Sequence, residues 1–169
     1  MVQALAQEHG GEHFQWTADE DERKKLWQAR HDAYFAALAL RPGAQGWSTD
    51  VCVPISRLAD CIRETKADLA SSSLKAPLVG HVGDGNFHLI ILVDRDDPAE
   101  IAEAERLNDR LVRRAISLGG TCTGEHGVGS GKIQYLPLEH GTEGVDLMRA
   151  LKQTMDPNNI LNPGKVILT

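Results

Sequence analysis

The chain has 169 residues, of which 41% are hydrophobic and 25% are charged, a composition that is typical of one globular domain and excludes a disordered or collagen-like protein. Its formal net charge of −6, from 18 Lys and Arg against 24 Asp and Glu, is spread without a basic run and argues against nucleic acid or an anionic membrane surface as a partner. No apolar stretch approaches the roughly 18 residues of a membrane span, and the N-terminus lacks the pattern of a secretory signal. We therefore expect a non-secreted protein without a transmembrane segment, cytoplasmic or peripheral to the inner membrane, that binds a small molecule.

The first third of the chain predicts a frayed end and one helix. Residues 1–12 are polar and contain glycine, as chain ends without fixed structure do. Thr17 and Glu20 have the spacing of a capping box, and apolar residues then recur at helical spacing until Arg41-Pro42-Gly43 stops the helix.

The middle of the chain predicts a strand, a helix and a hairpin. A strand over 47–53 leads through Pro54 into a helix that extends to about residue 69. Two apolar runs follow, at 78–82 and 87–93, and the Asp84-Gly85 pair between them is a strong signal for a two-residue hairpin turn.

The last third predicts two more helices. Asp97-Pro98 opens a helix that Gly119-Gly120 closes, residues 121–123 predict a short strand, and a final helix spans about 142–155. Asn162-Pro163-Gly164-Lys165 predicts a tight exit turn.

From residue 47 onward, this order is β-α-β-β-α-β, which is the split βαβ arrangement of ferredoxin-like folds. We therefore expect an α+β fold over residues 1–169, in which an antiparallel sheet carries helices on one face and an extra helix stands at each end. The three cysteines, Cys52, Cys61 and Cys122, show no CxxC spacing, so we expect buried thiols in a reducing compartment rather than disulfides or a cysteine-rich zinc site.

The first motif with chemical character is HVGDGNFH, residues 81–88. A two-residue turn at Asp84-Gly85 pairs His81 with His88, and directly opposed side chains have Cβ atoms about 4.5–5.5 Å apart on one face of a sheet. Two imidazoles at that separation can bind one ion at about 2.0–2.1 Å. The alternative is that both are polar residues on an exposed hairpin face.

The second motif is the glycine-rich segment GGTCTGEHGVGSGK, residues 119–132. It fits neither the P-loop pattern nor the dinucleotide-binding pattern, because His126 and Lys132 stand where those patterns need glycine. Glu125 and His126 are adjacent, and adjacent side chains in extended backbone diverge, so one can bind an ion while the other faces a substrate. The alternative is a solvated loop pair.

Together, His81, His88 and Glu125 provide two imidazoles and one carboxylate, a ligand set that suits zinc or another divalent ion and leaves a coordination position open. His126 then remains available as a base, because imidazole exchanges protons near neutral pH and a bound ion raises the acidity of an alcohol.

Arg30 lies on the same helical stripe as Trp27 and Tyr34, where a core-facing helix would carry an apolar residue. Its guanidinium can bind a carboxylate through two parallel hydrogen bonds. The alternative is that its stem covers the helix while its head reaches water.

Five segments carry a resemblance to a known family: WQARHDAY (27–34), STDVCVP (48–54), GHVGDGNFH (80–88), GTCTGEHGVG (120–129) and DPNNILNPGK (156–165). In their order and spacing, the sequence resembles the C-terminal domain of FAD-linked oxidases of the vanillyl-alcohol oxidase superfamily. The specific group comprises D-lactate dehydrogenases, the flavin-linked component of glycolate oxidase and D-2-hydroxyglutarate dehydrogenases.

The resemblance implies that His81, His88 and Glu125 bind a divalent metal and that His126 acts on the substrate hydroxyl. It also implies that Arg30 binds the substrate carboxylate and that Asn162 lies near the flavin. In the implied reaction, a 2-hydroxy acid loses its hydroxyl proton to the histidine and a hydride from C2 to the flavin N5, which gives a 2-oxo acid.

The sequence departs from the family members that use D-2-hydroxyglutarate. Those members carry Thr, Lys and Asn to hold the distal carboxylate, and this chain has Tyr34, Ser48 and Ile90 there. Because a buried carboxylate without partners is costly, D-lactate or a similarly short 2-hydroxy acid is favoured, with glycolate or D-2-hydroxyglutarate as the alternative. The segment around His88 looks closest to D-lactate dehydrogenases that pass electrons to cytochrome c or a quinone.

The family's N-terminal FAD-binding domain has no counterpart in this sequence, so we expect a fragment or one half of a split enzyme, inactive without a separate flavin-binding domain or polypeptide. A non-catalytic metal-binding or assembly module derived from the family is the competing hypothesis. A metal-dependent hydrolase is disfavoured, because it explains neither Arg30 nor the long family match.

Overall fold

The computed structural model describes residues 1–168. The chain divides into two compact units, Met1–Ala36 and a second that begins at Ala37. The helices are α1 (Val2–Glu8), α2 (Glu20–His31), α3 (Ala33–Ala39), α4 (Ile55–Leu69), α5 (Pro98–Ser117) and α6 (Leu136–Met155). The strands are β1 (Gln45–Ser48), β2 (Val51–Cys52), β3 (Leu78–His81) and β4 (Asn86–Val93).

The N-terminal region is more helical than the sequence analysis predicts. The expected frayed end contains α1, whose Ala, Gln, Leu and Glu residues favour helix. The predicted helix to Arg41 is divided at Asp32 into α2 and α3. Its N-cap is Asp19, which accepts hydrogen bonds from the N–H groups of Asp21 and Glu22, whereas the hydroxyl of Thr17 accepts one from the N–H of Asp19.

The sheet is antiparallel and is built around β4. β1 and β2 pair with one edge of β4 in a common register, with Ser48 opposite Ile90 and Val51 opposite Phe87, so they are one strand interrupted at Thr49-Asp50. β3 pairs with the other edge of β4. The predicted strand at 121–123 is reduced to a single bridge between Thr121 and Cys52. This topology confirms the predicted α+β class with its split βαβ core.

β4 is buried on both faces. Side chains alternate across a strand, so successive residues belong to opposite faces of the sheet. Phe87, Leu89, Ile91 and Val93 join the core formed with α4 and α5, whereas Ile90 and Leu92 pack with Ala37 on the opposite face. His88 belongs to this second face, away from α4 and α5. The sheet therefore separates the packing side of the domain from the side that carries the candidate site.

The two helices on the packing side are tied together by ion pairs. Asp68 of α4 accepts hydrogen bonds from Arg110 and Arg114 of α5. Asp97 caps α5 through the N–H groups of Ala99 and Glu100, as the Asp97-Pro98 signal predicts.

The final helix, α6, begins six residues before the predicted start and bends at Gly141, whose φ is +73° and ψ is +164°. The predicted start near residue 142 therefore corresponds to the point just after the bend. A tight turn follows the helix, with the N–H of Lys165 donating to the carbonyl of Asn162 at 3.1 Å. Among residues 1–168, the helices are too short or too polar to cross a bilayer.

Candidate functional site

The hairpin between β3 and β4 has a different register from the one predicted. His81 lies opposite Asn86, and His88 lies opposite Val79, so the predicted direct pairing of His81 with His88 is wrong. The connection has four residues, 82–85, because Gly85 is held against the end of β2: its carbonyl accepts a hydrogen bond from the N–H of Val53 at 3.0 Å. A Cβ at Gly85 would lie 2.1 Å from the carbonyl oxygen of Val53.

The two histidines nevertheless share a face of the sheet. The observed register differs from the predicted one by two residues, and a strand repeats its facing every two residues. His81 and His88 are diagonal neighbours, with ring centroids 5.9 Å apart and nearly perpendicular planes. Side chains of diagonal pairs are close enough to interact when they are long or aromatic. The two imidazoles therefore lie close together, as predicted, although the predicted register is wrong.

Glu125 meets both imidazoles at one carboxylate oxygen. Its Oε1 lies 3.2 Å from Nε2 of His81 and 3.1 Å from Nε2 of His88. One ligand atom of each residue therefore lies within 4.8 Å of the other two. His88 is buried, His81 is half-buried and Glu125 is exposed, so the cluster opens toward solvent on one side.

Two oxygen atoms of Thr49, its hydroxyl and its carbonyl, together fix the orientation of His88. The N–H of Leu89 donates to the hydroxyl of Thr49 at 2.9 Å, and the carbonyl of Thr49 lies 3.0 Å from Nδ1 of His88. Because a carbonyl can only accept, Nδ1 is the donor, and Nε2 of the neutral imidazole presents its lone pair to Glu125. Two acceptor atoms 3.1 Å apart repel each other unless a proton or a cation lies between them.

This donor set fits a divalent cation. Ligand atoms that are about 2.0–2.1 Å from one zinc ion at a tetrahedral angle lie roughly 3.3 Å apart, close to the two distances observed. The hydrogen bond from His88 Nδ1 to a backbone carbonyl is the kind of outer contact that orients histidine ligands in metal sites.

His126 stands beside this cluster. Its ring stacks on His88 with centroids 5.0 Å apart and planes 12° from parallel, and its Nε2 lies 3.9 Å from Glu125 Oε1. Its side chain is 50% exposed, so a ligand that reaches the cluster from solvent can reach this imidazole as well.

Asp50 is a site residue that the sequence analysis missed. Its side chain is 1% exposed and accepts backbone hydrogen bonds from Gly124, Glu125 and His126 at 2.8–3.2 Å. Further donors are the hydroxyl of Thr123, the amide of Asn86 and the ammonium of Lys132. The carboxylate therefore fixes the backbone from which both Glu125 and His126 project.

These contacts decide the charge state of Asp50. Burial by itself would raise its pKa, but hydrogen bonds from the backbone of His126, the amide of Asn86 and the hydroxyl of Thr123, together with the charge of Lys132, hold the pKa well below the usual range. The signal available in the sequence was a single acidic residue inside a predicted strand, which needs partners when it is buried.

Gly124 is required by close packing. A Cβ on this residue would lie 1.6 Å from Nδ2 of Asn86 and 2.7 Å from Oδ1 of Asp50. Gly127, on the other side of the Glu125-His126 pair, has a φ of +79°, a left-handed angle that glycine adopts without steric cost.

The remaining predicted residues lie outside this cluster. Arg30 belongs to α2 in the first unit, where its guanidinium carbon lies 5.2 Å from the centroid of Trp27, and Asn162 begins the exit turn with an exposed side chain. Their roles toward substrate and flavin stay predictions. The other histidines are all exposed, and they are His9, His13, His31 and His140.

Burial of the cysteines agrees with the prediction at two of three positions. All three are free; Cys61 and Cys122 are buried as expected, whereas Cys52 is only half-buried. Burial and the nearby Glu139 raise the pKa of Cys122 to about 11, which keeps it protonated at neutral pH.

Comparison with known proteins agrees with these motifs. The family model of the C-terminal domain of FAD linked oxidases matches residues 1–166. The chain is 50% identical over 167 residues to a probable mitochondrial D-lactate dehydrogenase of Danio rerio, covering 99% of this chain and 34% of that protein. It is 46% identical to the mitochondrial D-lactate dehydrogenase (cytochrome) of Arabidopsis thaliana, over 99% of this chain and 30% of that protein.

A more distant relative is the glycolate oxidase subunit GlcD of Bacillus subtilis, 36% identical over 98% of this chain and 35% of that protein. The chain thus spans about a third of the length of the relatives that it matches. Because the family model covers nearly every residue, the chain belongs to the family of FAD linked oxidases, of which it is a C-terminal domain.

Proposed function

We propose that this chain is the substrate- and metal-binding part of an FAD-dependent 2-hydroxyacid dehydrogenase that oxidises D-lactate, or a similarly short 2-hydroxy acid, to the 2-oxo acid. The observation that carries the proposal is the meeting of His81, His88 and Glu125 at one point, with His126 beside them. Membership of the FAD linked oxidase family supports the redox character of the reaction.

His81, His88 and Glu125 would hold the metal ion, and their donor atoms suit zinc. A divalent ion bound there would raise the acidity of a substrate hydroxyl group. The flavin would supply the hydride acceptor and would be bound mainly by residues outside this chain. Asn162 is the residue of this chain that we propose to contact the flavin.

The chain's own residues perform the proton transfer and bind the acid. His126 takes the hydroxyl proton at its imidazole, which lies next to the cluster and is open to solvent. Arg30 binds the substrate carboxylate through parallel hydrogen bonds.

The neighbourhood of the site favours a monocarboxylate. Ser48 and Ile90 face each other across β1 and β4, and Ile90 is 3% exposed and packs with Ala37 and Leu92. This arrangement offers no cation to a second carboxylate at these positions, which favours D-lactate over D-2-hydroxyglutarate. Glycolate remains the alternative substrate, in line with the GlcD relative, and cytochrome c or a quinone is the proposed electron acceptor.

Metal retention by the purified chain tests the first half of the proposal. We expect about one divalent ion per chain, lost in His88→Ala and Glu125→Gln, because each removes a ligand from a three-residue set. Elemental analysis after dialysis measures the content, and His140→Ala, which changes an exposed histidine outside the cluster, is the control. A wild-type chain that retains no ion contradicts the proposed site.

Turnover of the enzyme assembled with its flavin-binding part tests the second half. We expect His126→Ala to lower flavin reduction by D-lactate by roughly 100-fold to 10,000-fold, the usual value of a general base, while the metal content stays at the wild-type level. Wild-type rates in this variant would remove the proposed base. A chain that retains its metal but supports no flavin reduction would favour a non-catalytic metal-binding module.

A further inference from the structure

One face of α6 is apolar and exposed. Leu147, Leu151 and Met155 follow one another at the helical spacing of four residues and are 63%, 55% and 80% exposed. Val145 and Met148 of the same helix pack into the core instead. α6 therefore has two apolar faces, and the core covers one of them.

Two further exposed apolar side chains follow the helix in the chain. Ile160 and Leu161 are 74% and 61% exposed. Their N–H groups both donate to Asp156 at 2.9 Å, and the ammonium of Lys152 donates to the carbonyl of Leu161 at 2.6 Å. We call Leu147, Leu151, Met155, Ile160 and Leu161 the α6 stripe.

The backbone of the stripe is held by hydrogen bonds. Leu147, Leu151 and Met155 belong to a helix, and Asp156 accepts hydrogen bonds from the N–H groups of the last two stripe residues, which limits the conformational entropy that is lost when a partner binds. An exposed apolar surface of this kind, on elements that are already held in place, is typical of a docking site.

The charges around the stripe do not suit a lipid surface. The two basic residues of α6 other than histidine, Arg149 and Lys152, are paired with Asp146 and Asp156. An anionic membrane attracts clusters of basic side chains whose charges are not already neutralised.

We infer that the α6 stripe is the surface on which the flavin-binding part of the enzyme docks, an inference that rests on the proposed function. The chain accounts for only 30–35% of the length of its relatives, so about two thirds of such an enzyme corresponds to sequence outside this chain. Domain interfaces within enzymes bury roughly 600–1,500 Å². The stripe supplies the apolar centre of such an interface, and the exit turn with Asn162 follows it directly in the chain.

The test is a titration of the purified chain with the separately purified, flavin-loaded polypeptide. We expect the double variant Leu147→Glu/Leu151→Glu to bind at least about 100-fold more weakly, the size of effect caused by loss of two central apolar anchors. The control is Ile55→Glu, because Ile55 is exposed to the same 63% as Leu147 but lies at the start of α4. It should bind within about twofold of the wild type.

Folding and the alternative occupants are measured on the same samples. Equal metal content and far-UV circular dichroism in all variants show that the replaced side chains are not needed for folding. Equal affinity of the double variant and the wild type would overturn the inference. Two further results would overturn it. The first is a wild-type dimer in sedimentation that the double variant does not form, and the second is wild-type binding to phosphatidylglycerol vesicles that the double variant does not show.

The outcomes also separate this inference from the proposed function. If the wild type binds the flavin polypeptide through the stripe but supports no turnover, the docking surface stands and the proposed catalysis fails. If both the wild type and the double variant bind and turn over D-lactate equally, the proposed function stands and the docking surface is wrong. A wild-type chain without affinity for the flavin polypeptide overturns both.

Discussion

Asp50 accepts hydrogen bonds from three consecutive backbone N–H groups, those of residues 124–126, and from the ammonium of Lys132. Consecutive N–H groups that converge in this way form a cradle for an anion. Because the cradle belongs to the same residues that carry the Glu125 carboxylate and the His126 imidazole, the charge of Asp50 sets the position of both side chains.

Replacing that charge should weaken metal binding without touching a ligand. In Asp50→Asn, the new amide presents donors to a cradle of donors and leaves the ammonium of Lys132 without its anion, so we expect a loss of stability of about 3 kcal/mol. Metal affinity should fall by roughly 10-fold to 100-fold, as it does when an outer contact of a ligand is removed. Isothermal titration with zinc measures the affinity.

The chain offers a matched control in Asp156, a buried carboxylate that also holds two neighbouring N–H groups and a lysine. Asp156→Asn should lower stability and leave zinc affinity unchanged. Equal losses of affinity in the two variants would mean that Asp50 acts only through general stability. Faster amide exchange at residues 124–126 in Asp50→Asn identifies the loosened loop even in the absence of metal.

At the scale of elements, α5 is the helix that the sequence specifies most completely. Asp97 accepts hydrogen bonds from Ala99 N–H at 2.8 Å and Glu100 N–H at 3.4 Å. We expect Asp97→Ala to lower the free energy of unfolding by about 1 kcal/mol, the usual value of an N-cap, as measured by urea denaturation.

The neighbouring Asp96→Ala provides the comparison for this helix. Asp96 is exposed and lies outside the cap, so its removal should change stability by less than about 0.5 kcal/mol. If the two variants are equally stable, the cap has no measurable effect and α5 is held by its packing alone.

The elements that the sequence predicts well are those whose signals are local. Pro54 and Asp97 mark the starts of α4 and α5, and the apolar periodicity that follows predicts how far each helix extends. The prediction of the hairpin turn was wrong because the carbonyl of Gly85 accepts a hydrogen bond from the N–H of Val53, which is distant in the sequence. That contact overrides the local preference of Asp-Gly for a two-residue turn.

The same distinction applies to the candidate site. His81 and His88 lie in one short motif, and the two-residue period of a strand places them on one face in either register. Asp50 is an acidic residue in a predicted strand, but its partners are 36 to 82 positions away in the sequence, so no local pattern identifies them. Its role becomes visible only when the fold brings the loop after α5 to the interrupted strand.

At the scale of the whole molecule, several carboxylates lose protons more readily in the folded state than in the unfolded one. The hydrogen bond from Lys152, together with those from the backbone of Ile160 and Leu161, lowers the pKa of Asp156 to about 2, from a usual value of 3.8. Burial by itself would raise the pKa of Asp68, but hydrogen bonds from Arg110 and Arg114 and their positive charges lower it below its usual value. Stability from such groups is fully present above about pH 4 and is lost as the pH falls toward the folded-state value.

We therefore expect the free energy of unfolding to decrease between about pH 4 and pH 2. In Asp156→Asn the decrease should be smaller, because this variant lacks one of the groups that must be protonated. Urea denaturation of both proteins across this range measures the difference, which should shrink as the pH falls. A difference that stays constant would show that Asp156 has the same pKa in both states.

At Thr49, the side-chain hydroxyl takes the place of the backbone carbonyl as the acceptor for the N–H of Leu89. This replacement links the hydrogen bonds of the sheet to the tautomer of His88, because it leaves the carbonyl for Nδ1. A Val at this position would have the same shape but no oxygen, and the Leu89 amide would then compete with the imidazole for the single carbonyl. Either the hydrogen bond of the Leu89 N–H to residue 49 would be lost, or the imidazole of His88 would lose the carbonyl acceptor that keeps its proton on Nδ1. One methyl-for-hydroxyl difference would thus reach the cluster of His81, His88 and Glu125 through the backbone, without any change in those three residues.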